Sequence, residues 1–147
     1  MNLQIKKSKI LSLVLLGSLF LTNIADADIS VVVHKNSPLS AITLKEGKRI
    51  FLGVTKKMPN GQDIEIIDQS GNSDLKEDFY MALTNKNSAQ INSRWAGLVF
   101  SGQAIPPKVA NGNQGVKAFL QSNTNGIGYI DSKEVDGSVK SILTIKN

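Results

Sequence analysis

The run Ile64-Glu65-Ile66-Ile67-Asp68-Gln69-Ser70-Gly71-Asn72-Ser73-Asp74-Leu75-Lys76-Glu77-Asp78-Phe79 leaves the chain few choices of local structure. Ile64, Ile66 and Ile67 suit a strand, because β-branched side chains pack well on a pleated surface. Ser70-Gly71-Asn72-Ser73 supplies a turn and a helix cap. After Ser73, Leu75, Phe79 and Leu83 recur at helical spacing. The segment therefore reads as strand, small-residue loop, helix. A helix that starts just past such a loop turns its free N–H groups toward the loop, with the positive end of its dipole behind them. That is an anion-binding geometry.

The flanking sequence repeats the alternation. Ile29-Ser30-Val31-Val32-Val33-His34 is a β-branched first strand. Thr43-Leu44-Lys45-Glu46 has the spacing of a capping box, and the helix it opens is expected to carry Leu44, Gly47, Ile50 and Phe51 inward. Gly53 suits the left-handed position that ends it. Ser88 is expected to cap a third helix with Ile91, Trp95, Leu98 and Val99 on one face, and Pro106-Pro107 to enforce an extended connection. Asn113 is expected to cap a fourth helix burying Val116, Phe119 and Leu120. Ile127–Ile130 and Ser141–Ile145 read as the last strands. Strands alternating with helices predict a layered α/β fold, with some strands parallel because helices connect them.

The 147 residues suffice for one ordinary domain, and 41% hydrophobic residues suffice for a packed core. With no cysteine, disulfides and thiolate metal sites are excluded. Lys6, Lys7 and Lys9 precede an apolar run from Ile10 to Leu21, and Ala25-Asp26-Ala27 fits a small-x-small cleavage site. Residues 1–27 read as a signal peptide cleaved after Ala27, residues 28–147 as the exported, periplasmic domain. Cleavage removes three lysines and Asp26, so the net charge falls from +5 to +3. The remaining cations are scattered rather than gathered on one face, which argues against a nucleic-acid partner.

Catalysis has little support. His34 is the only histidine, and Ser70 and Ser73 have no general base beside them in sequence. The acidic cluster Asp68, Asp74, Glu77 and Asp78 lacks the spacing of a calcium loop, so no metal or cofactor is expected. Trp95 falls on an apolar stripe and reads as packing; Arg94 reads as surface. The anion candidates are the turn Ser70, Gly71, Asn72 and Ser73, with Lys76 as electrostatic support. Asp68 is a candidate acceptor: a protonated phosphate oxygen can donate to a carboxylate, whereas sulfate at neutral pH cannot.

Arg49-Ile50-Phe51-Leu52-Gly53, the turn through Asn60-Gly61, the Ile64–Ser73 segment and Asn125-Gly126-Ile127-Gly128-Tyr129-Ile130 occur in an order that resembles the periplasmic phosphate-binding proteins of ABC importers. Arg94–Gly102 with Pro106-Pro107 is similar to the short members of that group. The resemblance implies a three-layer single lobe of the type-2 periplasmic-binding-protein fold, a mixed sheet flanked by helices. It implies phosphate or a similar oxyanion as ligand, and a membrane permease, a membrane sensor or a second copy of the chain as partner. It places the anion on Ser70, Gly71, Asn72 and Ser73. The long members have a Ser-Gly-Thr turn with a nearby arginine; here Asn72-Ser73-Asp74 stands in, and Lys76 is the adjacent cation. The alternative is a non-catalytic periplasmic interaction module with a degenerate anion site, which keeps the lobe as a scaffold and binds an envelope partner through the Trp95–Pro107 region.

Overall fold

The computed structural model describes residues 27–147. The signal segment read over residues 1–27 lies, up to Asp26, outside the described residues. The elements follow in the order β1 (Ile29–His34), α1 (Leu44–Phe51), β2 (Glu65–Gln69), α2 (Asp74–Thr84), α3 (Ser88–Phe100), β3 (Lys108–Ala110), α4 (Gly112–Gln121), β4 (Gly126–Asp131) and β5 (Val139–Ile145). A single 3-10 turn, Ser132–Glu134, joins β4 to β5.

The five strands form one mixed sheet in the order β3-β2-β4-β1-β5. β2 runs parallel to β3 and to β4, and β1 runs antiparallel to β4 and β5. The expectation of an α/β fold with helix-linked parallel strands holds. Alternate residues of β1 show why the sheet has a layer on each face. Ile29, Val31 and Val33 join one core with Phe51, Phe79, Tyr80, Ile91 and Trp95, whereas Val32 joins the other with Val116 and Leu120. The period of two along a strand sorts its side chains to opposite faces. So α1, α2 and α3 cover one face and α4 the other.

Local chemistry accounts for most helix ends. In the Thr43–Glu46 box, the Thr43 hydroxyl accepts from the Glu46 amide at 3.2 Å and the Glu46 carboxylate accepts from the Thr43 amide at 2.7 Å. Gly53 closes α1 at φ 71°, and Arg94 Nε donates to the Leu52 carbonyl at 2.8 Å, a cation where the dipole favours one. That bond ties α3 to the end of α1, so Arg94 is not the free surface cation its sequence position suggested.

Several sequence expectations need correction. Leu44 is 56% exposed and Val99 is 39% exposed, so the buried stripes of α1 and α3 are narrower than their apolar spacing implied. Asn87, not Ser88, caps α3, in a reciprocal pair with Gln90, and Ser88 is the first helical residue. Asn111, not Asn113, occupies the cap position of α4, and the Asn113 side chain instead accepts from Gln69 and from the Asp131 amide. The extended connection after Pro107 ends in β3, a strand too short to show a period of two.

At Gly128 of β4, α4 packs closely on the sheet. A Cβ there would lie 2.6 Å from Ile67 Cγ2 and 2.8 Å from Val116 Cγ1. Gly128→Ala is therefore expected to lower stability by about 1–3 kcal/mol through overpacking, read as a lower urea midpoint with an unchanged slope.

Candidate functional site

β2 and β3 are adjacent parallel strands whose chains leave for opposite faces of the sheet, β2 into α2 and β3 into α4. A crevice opens at such a divergence, and it is where ligands sit in open α/β sheets. The Ser70–Ser73 turn lies at this point. Ser70 N donates to the carbonyl of Ala110 at 3.1 Å, which ties the turn to the end of β3, and Ser73 N donates to Ser70 O at 3.0 Å, which closes it. Gly71 and Asn72 are exposed and Ser73 is half-buried.

The start of α2 is left open. Ser73 has the extended backbone of an N-cap, yet its side chain makes no capping bond. The amides of Asp74 and Leu75, and those of Gly71 and Asn72, have no acceptor among the described residues. Water or an anion must satisfy them. Of the carboxylates in this first turn, Glu77 faces away: its Oε2 accepts from the Ser88 amide at 2.8 Å, at the entry to α3. Hydrogen bonds from Ser88 hold the Glu77 carboxyl below its ordinary value. The exposed Asp74 and Asp78 remain near the turn.

Asp68 and Lys76 stand together, beneath the turn rather than in it. Asp68 is 4% and Lys76 5% exposed, and Lys76 Nζ lies 3.0 Å from Asp68 Oδ2. The Tyr80 hydroxyl donates to the same oxygen at 3.3 Å. Asp68 Oδ1 accepts from the Tyr129 hydroxyl and, at 2.9 Å, from the Gln69 amide. Lys76 and Tyr80 are one turn apart on α2, which brings both side chains to one face. Lys76 also donates to Asn92 Oδ1 at 3.4 Å and lies 6.0 Å from the centroid of the Tyr80 ring.

The walls are aromatic. Tyr129 stacks on Phe79 at 3.7 Å between centroids, and Phe51 meets Phe79 edge-on at 4.8 Å. A lysine and a carboxylate held this dry are stable only as a pair with their remaining hydrogen bonds made. Burial first, then the charge of Asp68, pushes both tyrosine hydroxyls well above their ordinary value. Gln69, 2% exposed, completes the arrangement through bonds at 3.2 Å to Asn113 Oδ1 and to the Tyr129 carbonyl.

Sequence reasoning missed Tyr80, Tyr129, Gln69 and Asn113. Tyr80 alone had a readable signal, four residues after Lys76. His34 behaves as a structural residue: its Nδ1 accepts from the Asn36 amide at 2.9 Å at the strand end. Among the described residues there is no group of three or more potential metal ligands, and no helix long and apolar enough to cross a membrane.

No family model matches the chain, and no curated protein matches it by sequence. Solved structures do. One, described as a phosphate ABC transporter substrate-binding protein from Clostridium perfringens with bound phosphate, is 24% identical, with a TM-score of 0.64 over 81% of this chain and 46% of its own. An ABC-type phosphate transport receptor from Vibrio cholerae is 21% identical, with a TM-score of 0.62 over 79% of this chain and 46% of its own. PstS from Borrelia burgdorferi is 15% identical, with a TM-score of 0.63 over 80% and 48%. The fold is a lobe of the periplasmic-binding-protein kind. The chain spans less than half the length of each of these neighbours, and at such identities the likeness is one of fold.

Both tyrosines of the chain bond to Asp68. Their raised folded values mean that unfolding at high pH releases protons, so stability is whole below the ordinary tyrosine value near 10 and falls as pH rises past it. Tyrosinate absorbance is expected to appear only together with the loss of the circular-dichroism signal. Ionisation ahead of unfolding would contradict the buried geometry.

Proposed function

We propose that this chain is a non-catalytic, exported solute-binding protein that holds inorganic phosphate or a similar oxyanion at the Ser70–Ser73 turn. The observation that carries the reading is the open start of α2 at the β2–β3 divergence. Four amides and the hydroxyl of the cap serine have no protein partner there among the described residues. The likeness in fold to proteins described as phosphate receptors supports the choice of ligand. In this reading Gly71, Asn72, Asp74 and Leu75 give backbone donors, and Ser70, Asn72 and Ser73 give side-chain donors. Lys76 lends positive charge from below, damped by its contact with Asp68. Export rests on the basic, apolar and small-residue order of residues 1–27. The partner that receives the anion is an importer permease or a membrane sensor.

Two of the donor positions lie in a solvent-facing turn, so affinity is expected to be weak unless a second surface closes over the ion. Calorimetric titration with phosphate, with sulfate as control, is the direct test. Absence of heat at about 1 mM phosphate, equivalent to about −4 kcal/mol of binding, rejects the reading for the isolated chain. Ser73→Ala removes one neutral donor and is expected to weaken phosphate about 3- to 10-fold.

A second reading rests on a different surface. Phe100 is 96%, Ile105 88% and Val109 65% exposed around the end of α3 and the edge strand β3. A groove of about 610 Å³ adjoins them, lined by Trp95, Ile64, Ile66, Ala104 and Pro106 among others. Exposed large apolar side chains beside an apolar groove are characteristic of contact with another protein. In this reading the lobe is an interaction module, and a second copy is the simplest partner. Sedimentation of the native chain against Phe100→Asp tests it: self-association that Phe100→Asp abolishes supports the reading, and a native chain that stays monomeric at all concentrations removes that partner.

A further inference from the structure

The geometry around Asp68 is that of an occupied oxyanion site. A carboxylate offers about four lone-pair positions, two on each oxygen. Here three hydrogen bonds and an ion pair surround it: Oδ1 accepts from the Tyr129 hydroxyl and the Gln69 amide, and Oδ2 accepts from the Tyr80 hydroxyl with the Lys76 ammonium 3.0 Å away. The donors come from β2, β4 and α2, so they are held in place by the fold and not by the carboxylate alone. Both tyrosine rings are fully buried and packed in the aromatic cluster, and Lys76 is 5% exposed. Charge-assisted bonds of this kind, in a dry surround, are what a bound small carboxylate would require.

We propose that this cage is a second oxyanion seat, beneath the Ser70–Ser73 turn, and that the chain fills it with its own side chain. Asp68 is the resident anion. The seat fits a small carboxylate of formate size, since a carboxylate is what it holds. It also keeps Lys76 from turning upward, so an anion in the turn meets backbone and hydroxyl donors without a free cation. This stands whether or not the turn holds phosphate.

The test is to remove the tethered anion and supply a free one. Asp68→Ala deletes the carboxylate and leaves three side-chain donors around a space of formate size. Its thermal and urea unfolding would be followed in sodium formate against sodium chloride at equal ionic strength. The expected result is saturable binding, with the unfolded-to-folded ratio falling about tenfold for each tenfold rise of formate above its Kd. The native chain should show no such difference between the salts, and Asp68→Ala combined with Lys76→Met should lose the formate response. Equal behaviour of Asp68→Ala in formate and chloride overturns the proposal. If Asp68→Ala is unfolded in chloride, recovery of the folded spectrum in formate supports the seat and failure to recover it overturns it.

A measurement on the native chain does not depend on any variant. The side-chain ammonium of Lys76 should stay protected from exchange with water as formate is added, because Asp68 holds it in the buried cage. A saturable loss of that protection in formate would show external anion displacing Asp68 and would overturn the assignment of a permanent resident. A native chain that gives no heat with phosphate rejects the turn as a phosphate site and leaves this result untouched.

Discussion

One buried ion pair fixes how the layers of this protein meet. Asp68 leaves the end of β2 and is held by Lys76 and Tyr80 from α2 and by Tyr129 from β4. Taking a carboxylate and an ammonium out of water costs several kcal/mol each, and their attraction offsets that only when the geometry is good and the other hydrogen bonds are made. Those conditions are met here. The same residues set the register of α2 against the sheet, because Lys76 and Tyr80 must both reach one carboxylate from consecutive turns. What lies above, the open turn, inherits its position from what lies below.

This arrangement separates two jobs that the sequence seemed to give to one cluster. Asp68, Ser70–Ser73 and Lys76 are neighbours in the chain and read naturally as one anion site. The structure divides them into a turn whose Gly71 and Asn72 amides have no acceptor among the described residues and a cage whose Asp68 and Lys76 are buried. The turn is electrostatically modest. Its positive potential comes from the α2 dipole and unpaired amides, against the nearby carboxylates of Asp74 and Asp78. Glu77, the third carboxylate of this turn, is turned to the Ser88 amide and adds less to that repulsion.

The legible parts of the fold were those fixed by short-range chemistry. The Thr43–Glu46 box, the left-handed Gly53 and the β-branched first strand each depend on residues within four positions of one another. Asn87 and Gln90 carried the same reciprocal pattern as Thr43 and Glu46 and could have been read as the α3 cap. Leu44 and Val99 misled because apolar spacing marks a stripe but not its width, and each lies at its margin. Asn113 was read as a local cap when its partners, Gln69 and Asp131, come from other strands. Sheet order, the short β3 and the tyrosine pair on Asp68 arise from contacts distant in sequence, which periodicity does not register.

The position of β1 has a consequence for how the chain is made. Its outer neighbour is β5, so Ile29 faces Ile145 and Val31 faces Leu143 across the ladder. β1 thus waits for β5, far along the chain, before its second edge is covered. Closing so long a loop delays the transition to the folded state. During that interval the outer edge of β1 is without its partner, a row of backbone groups open to pairing with another strand.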